Sequence, residues 1–409
     1  MIPVSDAILG MEDLLGRYRQ EGQVESTGAF TLDPKKAIEK LASFQLPGPH
    51  HWILKVVQTL DRSGATFVDI SAGVRKVTVK SDAVPEGFTS IDDLLGHLLV
   101  DANHCDPSLR HLAAGLQGSL QTKPRRIGIS MVCQGERRDY DLAAGGWREK
   151  GRESTSKDGS HFELILQRSV EEGLSSGWFA LNTDIFDLFF RRPGSYDRES
   201  LVVHDYCQYA SCEVLLDGKS ISDRRFGQAR YPGYDISKDL DPGKRKVSLF
   251  TSMFSQEDLI ASAAVPKHHL VEHLVPAREG HKGFRLSEEN HATVSNRGEL
   301  PPGTGLERAY AIRMQFDPTA RLYFVEDGVV IDKVDQALGC PGLVALIDAR
   351  ELGKDLSTLK ILTDERFALI VEETRKVGQT LRQTALEHLE RMPAPDFVAA
   401  RLKSVATES

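Results

Sequence analysis

The 409-residue chain lacks any run of about 18 apolar residues that could cross a membrane as a helix. Its first residues, MIPVSDAILGMEDLLGRYRQEG, have neither the basic start nor the continuous apolar core of a secretory signal. Together these absences lead to the expectation of a cytoplasmic protein. Basic residues are in deficit, 51 against 59 acidic ones for a formal charge of −8, so membrane or nucleic-acid partners are not expected. Cysteines are few: the five at 105, 133, 207, 212 and 340 are odd in number and scattered, which suits reduced thiols and no disulfide framework. His204, Cys207 and Cys212 lie close together but offer too few ligands for zinc. No P-loop occurs, and no nucleophile is assigned. Repeats and low-complexity tracts are missing too.

What is present is an ordinary globular composition, 40% hydrophobic and 27% charged, long enough for two or three domains. Residues 1–30 read as a helical arm, and a helix from Asp33 ends at the prolines of LPGP. HHWILKVVQTLDRSGA predicts a helix with Ile53, Val56, Val57 and Leu60 inward, stopped by Gly64. TFVDI and KVTVK alternate as strands. Ser90 and Asp93 form a capping box for IDDLLGHLLV, and Pro107 opens a further helix through Leu120. Strands recur at IGISMVC, RRDYDLA and HFELILQ, which makes residues 31–220 an α+β two-layer sandwich. Within that span Phe186 to Tyr209 read as two helical pieces, and CEVLLDGKSI as a strand with an Asp-Gly turn.

Residues 221–305 form an irregular connection holding one strand (KVSLFTS), one helix near Leu259 to Leu274 and a polar loop. Over 306–409 the patterning sharpens again. AYAIRMQF, RLYFVEDGVVI and GLVALID predict strands, and a long helix from Asp364 to Arg391 closes a second α+β domain.

KVVQTLDRSGATFVDI resembles the segment E-L-x-x-N-x-x-D-A-G-A-T-x-I-D-I of the GHKL superfamily, which includes heat shock protein 90 chaperones, MutL, the ATPase component of gyrase and histidine kinases. The match runs without a gap through Gly64, Ala65, Thr66, Asp69 and Ile70. LAAGLQGSL resembles the chaperones' lid motif F-G-V-G-F-Y-S-A-F, and Gly159 with Ser160 resembles the family's Gly-Thr before a late strand. LVVHDYCQYASCEVLLDG and GLVALIDARELGKDLSTLKIL resemble the passage into the chaperones' middle domain and a stretch within it. The resemblance covers roughly 30–220 and 310–390, and implies a GHKL (Bergerat) sandwich followed by a middle-type domain.

The resemblance also implies which residues should act, and here the types have changed. Lys55 stands where the family has the glutamate that serves as general base, and an ammonium cannot accept the proton. Thr59 replaces the asparagine that holds Mg²⁺, so a magnesium site is weakened, and Arg62 replaces an aspartate. In the adenine-binding D-x-G-x-G segment strict register gives Ser81 for the aspartate, whereas a one-residue bulge gives Asp82. Gly115 and Gly118 of the lid motif either bind an anion at a helix N-terminus or serve tight helix packing. Thr358 falls at the chaperones' arginine that reaches the terminal phosphate, with Lys360 nearby. Lys55, Thr59 and Arg62 are either cleft residues or the solvent face of an amphipathic helix.

The functional expectation is a chaperone-like or switch protein acting on a protein client or partner, compatible with a homodimer, without efficient ATP hydrolysis. ATP or ADP as bound cofactor is left open, with Lys55, Thr59, Arg62, Ser81, Asp82, Gly115, Gly118 and Ser160 as contact residues. The alternatives are an active Mg-dependent ATPase relying on Asp61, Asp69 or Asp82, and a nucleotide sensor that does not hydrolyse.

Overall fold

The computed structural model describes residues 46–403 apart from 74, 89, 99–105, 134, 144–145, 155–158, 169–197, 222–268, 287–291, 296–303, 314–315, 356 and 392–394. All belong to one compact unit, Ile38–Ser409. The expected arm, the helix from Asp33, the first helical piece of 186–209 and the strand KVSLFTS lie outside the described residues.

Helix α1 (Trp52–Arg62) is the centre of the first layer. Its apolar residues gather on one side, yet all but the last of its eleven residues are buried. Gly64, at φ +86°, lets the chain turn directly into strand β1 (Phe67–Ala72), a conformation a side chain would resist. Strand β2 (Lys76–Ser81) follows, then α2 (Ile91–Gly96), whose N-cap Ser90 accepts from Asp93 N as the capping box predicts. Helix α3 (Pro107–Ser119) begins with Asp106 accepting from Ser108 N and Leu109 N. Strands β3 (Arg126–Cys133), β4 (Glu136–Ala143), β5 (Gly146–Ser154) and β6 (His161–Gln167) come next. Helix α4 (Arg198–Tyr206) then leads to β7 (Glu213–Leu216) and β8 (Lys219–Ser220), joined by an Asp217-Gly218 turn with both residues at positive φ.

These strands make one eight-stranded sheet in the order β5-β4-β3-β6-β2-β1-β7-β8, antiparallel except for β1 with β7. Its alternation decides where the core sits: Val68, Ile70, Val77, Val79, Phe162 and Leu164 are buried, while their neighbours Ser71, Lys76, Lys80 and His161 are exposed. Trp52 Nε1 donates to the buried Glu199 Oε1 (3.1 Å), which also pairs with His50 and Arg168, so α4 is tied to the start of α1.

The second sheet has six strands in the order β10-β9-β11-β14-β12-β13. They are β9 (His269–Pro276), β10 (Ala292–Ser295), β11 (Leu306–Ile312), β12 (Ala320–Glu326), β13 (Val329–Gln336) and β14 (Leu343–Asp348). Central β14 reads as a continuous apolar run because both its faces are covered and it pairs in parallel with β12. Asp327 (φ 45°) and Gly328 (φ 79°) close the β12–β13 hairpin as the type I′ turn that the Asp-Gly pair predicts. Helix α5 (Glu365–Glu387), capped by Asp364, packs a stripe of Phe367, Thr374, Gly378, Leu381 and Ala385, and α6 (Pro395–Lys403) follows. One expectation fails here: the segment from 269 to 274, read as the end of a helix, is strand β9, because its partner β11 decides its conformation over local pattern. Among the described residues the protein is α+β, with two mixed sheets and six α-helices.

Candidate functional site

Lys55 is 1% exposed, in the middle of α1. Its Nζ donates to Gln58 Oε1 (2.9 Å) on its own helix and to Thr358 Oγ1 (2.5 Å) on the loop after β14, 303 residues away. Gln58 Nε2 in turn donates to the main-chain oxygen of Glu326 (3.1 Å), and Lys354 Nζ pairs with Glu326 Oε1 (2.6 Å). Thr358 holds this place at φ 51°, a strained conformation for a β-branched residue. Burial is the main cause that pulls the Lys55 ammonium down to about 8, with the charge of Glu326 opposing it and Lys354 adding to it.

The tip of the β12–β13 hairpin carries the second half of the network. Asp327 receives Arg62 Nη1 (3.3 Å) from the last turn of α1 and lies 3.4 Å from His111 Nε2 of α3. Burial alone would raise the Asp327 carboxyl, but His111 and Arg62 outweigh it and hold it low. His111 is itself held below the usual imidazole range by burial, against the pull of Asp327. Gly328 is obligatory for a second reason, since a Cβ there would meet Ala210 Cα at 2.7 Å and Asp61 Cγ at 3.0 Å.

Asp61 faces the other side of α1. Its Oδ1 accepts from Ser211 N (2.7 Å), Ser211 Oγ (2.7 Å) and Cys212 N (3.0 Å), fixing the chain where it enters β7. Burial nonetheless raises its carboxyl above the ordinary value. Cys207 and Cys212 are also buried, and desolvation pushes both thiols upward, away from reactive thiolate. Among the described residues no cluster of three His, Cys, Asp or Glu could hold a metal ion, and no helix is long and apolar enough to cross a membrane.

The solvent-face reading of Lys55 and Thr59 is overturned, because the second sheet and α3 cover that face; only Arg62 reaches solvent, with 37% of its side chain exposed. Thr59 Oγ1 donates to the carbonyl of Lys55 (2.8 Å), with that of Ser108 at 3.2 Å. Gly115 and Gly118 stand inside α3, not at its N-terminus. A Cβ on Gly115 would lie 3.1 Å from Val56 Cγ2 and 3.2 Å from Trp52 O, and one on Gly118 would lie 2.2 Å from Leu46 Cδ1. Close approach of α1 accounts for Gly115, and the side chain of Leu46 takes up the space beside Gly118. Gly115→Val is accordingly expected to cost about 1–3 kcal/mol, read from urea denaturation, by forcing α3 off α1.

Ser81 keeps strict register opposite Val68, with no bulge, and is buried with its Oγ donating to Phe67 O (2.9 Å). Asp82 turns to the β1 entrance, accepting from Thr66 N (2.9 Å), Thr66 Oγ1 and Phe67 N (3.4 Å). Ser160 is exposed just before β6. The structure therefore brings Lys55, Thr59 and Gly115 together around α1, while Ser81 and Asp82 bond to the start of β1. Gln58, His111, Glu326, Asp327 and Lys354 belong to the network without any sequence signal that singles them out. The acids of an E-D-G turn read as exposed hairpin residues, and only the apolar strands on both sides hint that the tip is covered.

Compared with protein-family models the chain matches none, and among curated proteins no significant match is found.

Proposed function

We propose that the chain has the body of a GHKL ATPase of the heat shock protein 90 type and works as a chaperone-like or conformational switch protein, binding a protein partner without efficient ATP hydrolysis. The observation that carries this reading is the bond from Lys55 Nζ to Thr358 Oγ1. By the resemblance these two positions belong to the general base and to the arginine that reaches the terminal phosphate, so they should face each other across that phosphate. Here they touch. The resemblance thus pairs residues 303 apart that are neighbours in space, and this supports the reading.

The chemistry follows from the same contact. An ammonium at the base position has no lone pair until it deprotonates, and its neighbours Gln58 and Thr358 fill the space in which water and phosphate would have to meet. Switching on this reading consists of parting the β12–β13 hairpin from α1 and α3, which exposes Glu326, Asp327 and Lys55 to a partner. ATP or ADP, if bound, stabilises one of these two arrangements and is not consumed, and a homodimer remains compatible with the surface left free.

The test is phosphate release by the purified protein with Mg²⁺ and ATP. The expected rate equals that of buffer alone. Turnover that disappears in Asp69→Asn or Asp82→Asn overturns the reading in favour of a working ATPase with relocated carboxylates.

A further inference from the structure

A cavity of about 250 Å³ opens beside the C-terminal end of α1, where the first layer meets the second sheet. Three cations line it: Arg62 from α1, Lys282 from the turn after β9, and Arg350 from the loop after β14. Three carboxylates line it too, Asp61, Asp327 and Asp348, but each already has donors. Arg350 engages Asp348 through Nε (3.0 Å) and Nη2 (2.5 Å), His111 and Arg62 serve Asp327, and the Ser211–Cys212 backbone serves Asp61.

Two of the cations are less well served. Lys282 Nζ makes one contact at the limit of a hydrogen bond, 3.5 Å to the main-chain oxygen of Asp61, and no carboxylate of the described residues pairs with it. Arg62 reaches Asp327 with a single nitrogen at 3.3 Å to both oxygens, which leaves most of its five N–H donors unspent. The unused capacity of the cavity is therefore donor capacity, held on a point charge and a planar fork that approach from opposite layers. An anion with several oxygens matches that arrangement better than a single carboxylate does, since it can meet both directions at once.

We propose that this cavity binds a phosphoryl group, and that binding staples α1 to the second sheet. The volume lies below the range of roughly 300–1,000 Å³ of pockets that enclose a whole drug-sized ligand, so the phosphoryl end enters and any larger substituent stays outside. Free diphosphate and the phosphate tail of a nucleotide share this chemistry. The proposal does not depend on the chaperone-like reading, which stands or falls on turnover and on Lys55.

Isothermal titration in Hepes at fixed ionic strength, without Mg²⁺, tests it with three probes: orthophosphate, pyrophosphate and ADP. Saturable binding of pyrophosphate is expected, weakened at least tenfold in Lys282→Met and in Arg62→Gln and unchanged in Lys80→Met, a surface control on β2. Pyrophosphate binding more tightly than ADP assigns the site to free diphosphate, and the reverse assigns it to a nucleotide tail; either outcome upholds a phosphoryl site. Circular dichroism checks that the variants fold, and the two cavity substitutions back each other up. No saturable heat with any probe, or equal binding by the parent and both cavity variants, overturns the proposal.

Discussion

Lys55→Glu, which places at this position the residue type that the GHKL resemblance implies, is expected to destabilise the protein by roughly 3–5 kcal/mol and to produce no ATPase activity. The new carboxylate would be buried beside Glu326 and Asp327, and it would present an acceptor to Gln58 Oε1 where a donor is needed. Against a total stability of about 5–15 kcal/mol such a loss leaves the fold marginal. Lys55→Met removes the charge while keeping the volume but strands the acceptor Gln58 Oε1, so it is expected to cost about 1–3 kcal/mol at pH 7, less than the glutamate. A urea midpoint for Lys55→Glu equal to the parent's would show that the network carries no weight.

The same pair gives a pH signature. Folded Lys55 titrates at about 8, below the ordinary 10.5, so between those values the unfolded chain binds a proton that the folded chain does not. Stability from this group therefore rises with pH across that window, by about 1.4 kcal/mol per unit. Cys207, Cys212 and Cys340, whose thiols burial raises, act in the opposite sense above their unfolded values. Comparing the parent with Lys55→Met at pH 8 and pH 9.5 cancels them. The parent should gain on the variant; a constant gap means that Lys55 is not buried as a cation.

The second large effect is expected at Asp61. Asp61→Leu strips the acceptor from three donors, Ser211 N, Ser211 Oγ and Cys212 N, and each buried donor left alone costs about 1–3 kcal/mol. A loss of about 3–5 kcal/mol is expected after the loop relaxes. Asp61→Asn retains one acceptor oxygen and should cost about 1 kcal/mol, with less sensitivity to mildly acidic pH because burial has raised the native carboxyl. If the leucine variant melts within about 0.5 kcal/mol of the parent, Asp61 does not tie α1 to β7 and its availability for chemistry must be reconsidered.

Local signals account for the parts of this fold that are legible in the sequence. The capping box at Ser90, the stop at Gly64, Pro107 at a helix start and the two Asp-Gly turns each depend on a few adjacent residues, and each stands where the sequence places it. Segment 269–274 misleads because its helix-like spacing is settled by pairing with β11. The polar residues of α1 mislead for a related reason. Lys55, Gln58 and Thr59 look like a wet face when the helix is considered alone, and only a hairpin contributed by residues 326–328 makes it dry. Thr358 is reached through the family resemblance, whereas Glu326, Lys354 and His111 carry no sequence mark that separates them from surface charges.

The separation between Lys55 and Thr358 also sets a timetable. A ribosome adding about 5–20 residues per second needs roughly 15–60 s to reach Thr358 after Lys55 has been made. For most of that interval, until the strands through Asp348 have been made, α1 has no second sheet to cover it, and its lysine and glutamine must remain hydrated. Synthesis thus passes through a half-built state whose inner surface is polar enough to wait in water, while the ordinary lysine pKa of that state drops only when the hairpin arrives.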